Sequence, residues 1–372
     1  MKKLLKVAIV HDWYVASGGA EKVLKQILDL YPNSDLYSVV DFFSDQQRTE
    51  FLKGKSVKTT FIQKLPFAKN KYRNYLSFMP FAIEQLDLTK YDLIISSSHA
   101  VAKGVITGPD QTHICYCHSP IRYAWDLKYQ YLKESGLEKG LKGWFAKKML
   151  FNIRQWDLST SNGVDHFIAN SNFIKNRIWK TYRRDAEVIY PNVEVNDFEL
   201  TERKDDYYFT ASRMVPYKKI DLIVKAFAQM PDKKLVVIGD GPDMDKVLKV
   251  QTDNVIILGY QPFSELKKYM QSAKAFVFAA EEDFGIIPVE AQACGTPVIG
   301  YGKGGLLETV EENKTGIYFQ QQTEDAIINA VEKFEKDISA FSPKYIREHA
   351  EKFSTEVFKS KFDNFVIKVL KK

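Results

Sequence analysis

Cysteine is scarce in this chain and odd in number, with only Cys115, Cys117 and Cys294 among 372 residues. A disulfide framework is therefore excluded, and a reducing, cytoplasmic setting is expected. Two of the three fall in CYCHS, but a four-ligand metal site needs a second ligand pair at suitable spacing, and no such pair follows. No metal is expected. Long hydrophobic runs are missing as well: stretches such as KVAIV and KLVVIG are short, and none approaches the roughly 20 apolar residues of a membrane-crossing helix. The opening MKKLLKVAIVHDW has the basic-then-apolar order of a secretion signal. Its apolar part is only a few residues long, however, has no small-residue cleavage site and runs into a glycine pair, so it reads as a first strand. The spaced G-x-G-x-x-G fingerprint of nicotinamide-binding proteins is also absent, which argues against a bound dinucleotide.

Acidic residues are missing locally. From Phe51 to Ile83 there is no Asp or Glu, while Lys53, Lys55, Lys58, Lys64, Lys69, Lys71 and Arg73 are present, interleaved with Phe61, Phe67, Tyr72, Tyr75, Phe78 and Phe81. That mixture suits an anionic membrane surface, single-stranded nucleic acid, or a solvated basic face over an ordinary aromatic core. A second basic-aromatic segment, residues 141–156, carries Trp144, Phe145, Lys147 and Lys148.

The length exceeds what one ordinary core organises, and short apolar runs alternate with helical patterns from end to end. This is the signature of α/β units around parallel sheets. Strands are predicted at KVAIVH, DLYSVV, YDLIISSS, HICYCH and HFIANS. A second series covers DYYFTAS, KLVVIGD, NVIILG, AFVFAA and PVIGY. Between the two series Pro191 and Asn192 break the pattern ahead of a polar stretch. The expected division is residues 1–191 and 192–354, with a terminal helix at about 355–372 packing back on the first domain. Two such sheets would open the carboxyl ends of their strands onto a shared cleft.

Four segments carry candidate chemistry. In AEEDFGIIPVEAQACGTPVIGYGKGGLLETV a strand end passes through Gly285 into a helix, offering the backbone amides of Phe284, Gly285 and Ile286 at a positive helix terminus. Glu282 precedes that turn and can accept hydrogen bonds from sugar hydroxyls. Glu290, inside the helix, can hold a vicinal diol. Acids are common near helix starts, so the two carboxylates alone do not decide. Gly295, Pro297 and the glycines from Gly302 to Gly305 add a second place where backbone can approach a ligand. In ASRMVPYKKIDLIVKAF, Arg213 and Lys218 bracket a loop before a helix, with Lys219 the alternative if the register differs by one. Fixed cations there would stabilise a departing diphosphate. In VHDWYVASGGAEKVL, Gly18 and Gly19 let backbone approach a ligand where a strand gives way to a helix. HICYCHSPIRYAWD places His118 at the carboxyl end of a strand.

The first of these segments resembles the E-x7-E signature of retaining glycosyltransferases of family 4, with Asp283 where the usual form has Gly. The resemblance extends, more loosely in the first half, over nearly the whole chain. It implies a GT-B fold, an α/β architecture of two Rossmann-like doubly wound domains facing a central cleft, with an acceptor-binding first domain and a nucleotide-sugar-binding second one. It implies that Glu282 contacts the transferred hexose and Glu290 the nucleotide ribose. Phe284, Gly285 and Ile286 would line the donor, Arg213 and Lys218 clamp its diphosphate, Gly18 and Gly19 face the donor phosphates, and His118 touch the transferred sugar. The motif variant together with CHSPIRYAWD is most similar to bacterial enzymes of surface-polysaccharide assembly that use GDP-mannose. That implies a glycan or lipid-linked saccharide acceptor, peripheral association with the inner face of the cytoplasmic membrane through residues 51–83 and 141–156, and no nucleic-acid partner. The nucleotide-sugar is then a substrate, and no cofactor is expected. A UDP-sugar donor, or a nucleotide-sugar-binding protein without catalysis, are the alternatives.

Overall fold

The computed structural model describes residues 5–371. Residues 1–4, which open the segment read as leading into the first strand, and residue 372, at the end of the segment read as the terminal helix, lie outside the described residues. The chain forms two compact units, one containing the residues up to Tyr190 and those from Lys359 onward, the other Pro191–Phe358.

The first unit is built on seven parallel strands: β1 (Val7–His11), β2 (Asp35–Ser38), β3 (Val57–Thr59), β4 (Leu93–Ser98), β5 (Thr112–Cys117), β6 (His166–Ala169) and β7 (Ala186–Val188), in the order β3-β2-β1-β4-β5-β6-β7. Every residue of β1 and β4 is buried, as expected of central strands covered on both faces, whose apolar runs are continuous rather than alternating. Helix Gly19–Leu30 follows β1 and buries Val23, Leu24, Ile27 and Leu28 at helical spacing. The chain's last helix, Thr355–Leu370, returns to this unit. There Phe362 is fully buried with its ring 6.5 Å from Tyr116, and Lys359 pairs with Asp29 at 2.8 Å. Cys115 and Cys117 sit on β5 as free, buried thiols within an apolar cluster that includes Phe167 and Ile174.

The second unit holds six parallel strands: β8 (Tyr208–Ala211), β9 (Leu235–Ile238), β10 (Val255–Ile257), β11 (Ala275–Phe278), β12 (Val298–Tyr301) and β13 (Gly316–Phe319), ordered β10-β9-β8-β11-β12-β13. Its core joins Ile223, Val224 and Phe227 of helix Ile220–Ala228 to Ile299 of β12 and to Ile327, Val331 and Phe334 of helix Glu324–Lys336.

Both sheets are doubly wound. Each begins at an inner strand, moves outward through two more, and then returns to the other side of the first. β1 and β4 in one unit, and β8 and β11 in the other, are therefore neighbours whose connections leave in opposite directions. Such a switch point opens a crevice at the carboxyl ends of its strands, where ligands bind in folds of this kind. Among the described residues no helix is long and apolar enough to cross a membrane.

Candidate functional site

The switch point of the second unit brings Lys218 and Glu282 together. β8 ends at Ala211, and the chain runs through Arg213 into a short 3-10 turn, Pro216–Lys218. Glu282 lies just past β11, on the neighbouring strand's connection. Lys218 Nζ forms an ion pair with Glu282 Oε1, the two side chains being 18% and 17% exposed. The same ammonium stands 5.4 Å from the Tyr217 ring and 5.8 Å from the Phe278 ring. Arg213 is exposed, and among the described residues its guanidinium makes no ion pair or hydrogen bond.

Two glycine-bearing turns hold this arrangement. Glu282 and Gly304 form a parallel bridge, and Gly305 N–H donates to the Glu282 carbonyl at 2.8 Å. Gly304 has φ +68°, and a Cβ there would lie 2.4 Å from the Glu282 carbonyl oxygen, so neither the conformation nor the space admits a side chain. Gly285, at φ +88°, caps helix Ile286–Ala293 without any side-chain hydrogen bond. As a glycine it brings no side-chain acceptor of its own to the amides of the helix's first turn. Phe284 turns inward onto Phe353, with ring centroids 5.5 Å apart, so it contributes backbone rather than side chain to the turn. Glu290 is buried on the same helix, eight residues beyond Glu282.

The loops after β8 and β9 are laced together beside this point. Met214 N–H donates to the Asp240 carbonyl at 2.9 Å, and Gly239, at φ +137°, passes so close to the Ser212 carbonyl that a Cβ would meet it at 1.8 Å.

The switch point of the first unit carries a buried polar cluster. The Asp12 carboxylate, fully buried just beyond β1, accepts main-chain N–H bonds from His99, Ala100, Val101 and Ala102 at 2.6, 3.0, 2.6 and 2.7 Å, and faces His99 Nδ1 at 3.0 Å. One step back on β1, His11 Nδ1 lies 3.0 Å from the Ser97 carbonyl and 3.1 Å from Ser97 Oγ, while His11 Nε2 lies 3.3 Å from Glu21 Oε1. Ser97 Oγ in turn lies 2.9 Å from Nε2 of His118, the residue after β5. Gly18 is the extended N-cap of helix Gly19–Leu30 and Glu21 stands in that helix's first turn.

Electrostatics separates the three imidazoles. Burial by itself would lower His11, but the hydrogen bond and charge of Glu21, with Asp12 and the Ser97 carbonyl adding to them, raise it above its ordinary value. Burial lowers His99 despite the nearby Asp12. Burial, together with the neighbouring His99 and His11, holds His118 well below the usual imidazole range. Glu21, desolvated but bonded to His11, is net lowered.

Comparison with known proteins gives the family and the fold. The family model described as Glycosyltransferase Family 4 matches residues 17–197, and the one described as Glycosyl transferases group 1 matches residues 193–353. The chain belongs to glycosyltransferase family 4. It is 25% identical over 349 residues to the alpha-1,3/1,6-mannosyltransferase ALG2 of Kluyveromyces lactis, an alignment covering 75% of this chain and 66% of that protein. It is 31% identical over 137 residues to the GDP-mannose-dependent alpha-(1-6)-phosphatidylinositol monomannoside mannosyltransferase of Mycolicibacterium smegmatis, covering 32% of this chain and 36% of that one. The matches thus span between about a third and two thirds of these relatives' own lengths. Among solved structures, Anabaena Alr3699/HepE in complex with UDP and glucose matches with a TM-score of 0.71 at 16% identity, covering 98% of this chain and 99% of that one. That likeness shows the GT-B fold.

Within this family 4 chain, the second unit brings together Lys218, Glu282 and the turn at Gly285, and Arg213 stands on the same loop as Lys218. In the first unit, His118 is drawn into a cluster that sequence reasoning missed: His11, Asp12, Glu21, Ser97 and His99. A signal was present, because VHDW and SSSHA each end a buried apolar strand on charged or hydroxyl residues.

Proposed function

We propose that this glycosyltransferase moves a hexose, mannose from GDP-mannose, to a hydroxyl of a glycan or lipid-linked saccharide with retention at the anomeric carbon. The observation that carries the reading is the Lys218–Glu282 pair at the second unit's switch point, beside the helix start at Gly285. In the chain without donor each group neutralises the other. A bound sugar diphosphate supplies Lys218 with a better anion and frees Glu282 for the sugar's hydroxyls, so the site is preset for a ligand that is both.

In the reaction, the bond between the anomeric carbon and the diphosphate oxygen breaks, and the electron pair leaves with the diphosphate. Lys218, Arg213 and the amides of Phe284, Gly285 and Ile286 stabilise that charge. The acceptor oxygen bonds to the anomeric carbon from the same face, and its proton passes to a diphosphate oxygen. Glu282 orients the hexose, Glu290 holds the ribose diol, His118 donates to a sugar hydroxyl, and the backbone at Gly18 and Gly19 approaches the donor phosphates. The chemistry asks no metal or cofactor of these residues.

The mannose assignment is supported by the names of the two mannosyltransferase relatives and by the motif variant. Binding at an anionic membrane is supported by exposed aromatics in the first unit. Phe67 is 78% exposed at a left-handed turn (φ 58°), with Phe61, Phe78 and Phe81 also exposed and Lys64, Lys69, Lys71 and Arg73 around them. On helix Gly140–Thr160, Leu141, Trp144 and Phe145 are likewise exposed among Lys142, Lys147 and Lys148. Solvated basic faces do not need such rings in water; a lipid interface gives them an apolar partner.

A panel of GDP-, UDP- and ADP-sugars read by thermal shift, followed by assay of released nucleoside diphosphate, tests the proposal. Stabilisation and turnover with GDP-mannose are expected. Preference for a UDP-sugar would correct the donor, and binding without release would leave a sugar-nucleotide-binding protein.

A further inference from the structure

Four polar groups of the first unit meet in series: Glu21 Oε1 to His11 Nε2 at 3.3 Å, His11 Nδ1 to Ser97 at 3.0–3.1 Å, and Ser97 Oγ to His118 Nε2 at 2.9 Å. All but His118 are buried. Their protons can be placed from the acceptors alone. A carbonyl oxygen only accepts, so the nitrogen facing the Ser97 carbonyl carries a hydrogen, and His11 is protonated on Nδ1. A carboxylate also only accepts, so His11 Nε2 carries one too. The Ser97 hydroxyl therefore has no acceptor at His11. Among the described residues its one remaining partner is His118 Nε2. If His118 Nε2 carried the hydrogen, the fully buried serine hydroxyl would be left with none to donate to, at the cost of an orphaned polar hydrogen.

We propose that Glu21, His11 and Ser97 form a positioning relay that fixes His118 as its Nδ1–H tautomer, making the half-exposed imidazole a standing hydrogen-bond donor to the sugar and not a proton acceptor. This rests on the reading of His118 as a sugar contact. It adds three residues to that reading and decides between two chemical roles. The groups around the relay favour the same state. Tyr116 and His99 flank His118 with ring centroids at 5.1 and 6.3 Å, and Asp12 and Glu21 balance the charge on His11. A doubly protonated His11 beside His118 opposes a second positive imidazole. His118 is thereby kept neutral while its free N–H stays available. The Asn170 side chain donates to the His118 carbonyl at 3.0 Å and fixes the backbone from which the ring projects.

Nitrogen-15 NMR of the histidine rings in the whole, unliganded protein reads the tautomer without any substrate, with the signals of His118 assigned by their loss in His118→Gln. Wild type is expected to show a protonated Nδ1 and a bare Nε2 throughout neutral pH. Ser97→Ala removes the donor to Nε2, so the ring is expected to shift toward Nε2–H, with turnover falling about tenfold at an unchanged donor KM. Glu21→Gln keeps an acceptor for His11 Nε2 and leaves the Ser97 carbonyl in place, so the His118 tautomer is expected to persist. A wild-type His118 protonated on Nε2, or a tautomer indifferent to Ser97→Ala, overturns the relay. If the tautomers behave as described and yet no sugar nucleotide is turned over by wild type, the relay stands and the sugar-contact reading of His118 falls.

Discussion

Lys218 and Glu282 meet across the β8/β11 switch point of the second sheet, one from the loop after β8 and the other from the loop after β11. Both side chains are largely shielded from solvent, so the cost of desolvating the two charges offsets much of their attraction and the pair adds little net stability. Its value lies in what replaces it. Lys218→Met and Glu282→Gln are each expected to melt within a few degrees of wild type while losing at least about a hundredfold in turnover. Parallel loss of folding and activity, seen by calorimetry beside the diphosphate-release assay, would mean that the pair is structural.

Gly304 tests the same site through backbone alone. Alanine there must adopt φ +68° and bring its Cβ to 2.4 Å from the Glu282 carbonyl. Gly304→Ala is expected to cost about 2–3 kcal/mol in denaturant unfolding and to displace Glu282, raising the donor KM. Unchanged unfolding would show that the bridge between residues 282 and 304 is dispensable.

Asp12 anchors the other switch point by collecting four amide hydrogens from residues 99–102. Asparagine offers one acceptor oxygen where the carboxylate has two, and turns an amide N–H₂ toward buried donors. Asp12→Asn is expected to destabilise the protein by about 3 kcal/mol. Hydrogen exchange should locate the loosening at residues 99–102; an unchanged melting curve contradicts the assignment.

Acid lability has a named source. His113 is fully buried, with Ser96 Oγ at 2.8 Å from Nε2 and the Gly163 carbonyl at 3.2 Å from Nδ1, and burial pushes its pKa down to about 4. A folded state that resists protonation loses stability as pH falls below the unfolded value near 6.5, and the loss levels off below about 4. This group alone accounts for about 3 kcal/mol across that interval. His11 and Glu21 act differently: the raised His11 contributes below its unfolded value near 6.5 and the lowered Glu21 above its own near 4.5, so their pair contributes most between those two. Urea unfolding from pH 7 to pH 4 should therefore show a decline, to which the lowered His99 and His118 also contribute, that His113→Gln makes shallower. An equal slope in that variant would assign the decline elsewhere.

For the exposed aromatics, sedimentation with vesicles of anionic lipid against vesicles of zwitterionic lipid gives the readout. Wild type is expected to sediment with the anionic vesicles, and Phe67→Ser combined with Trp144→Ser to do so at least about tenfold more weakly at equal net charge. Equal binding by the variant would reduce the attraction to charge alone. Steep salt-dependent binding to oligonucleotides without vesicle binding would redirect the basic stretch to nucleic acid.

The alternation of apolar runs and helical patterns made the doubly wound architecture readable, because central parallel strands must be apolar on both faces. The edge strands β3 and β7, each three residues long and partly polar, gave no such pattern, nor did β13. In the second unit Arg213 and Lys218 share the loop after β8, and Glu282, Gly285 and Glu290 share one contiguous segment after β11, so resemblance to the family's signature could single them out. In the first unit only His118 was singled out; the groups around it were not, because His11 and Ser97 reach it from strands that pair only through parallel crossovers. Its members also look ordinary one at a time: a lone histidine, a serine among serines, a glutamate in a helix's first turn. Gly239 and Gly304 owe their roles to the carbonyl that passes beside each, which no local pattern announces.

The most direct test of the account is the rate of GDP release from GDP-mannose, with and without a saccharide acceptor, by wild type and by the double variant Arg213→Ala, Lys218→Ala. The account predicts release by wild type, and a loss of about a thousandfold or more in the variant with its fold intact. Release at the wild-type rate by a folded double variant would contradict it.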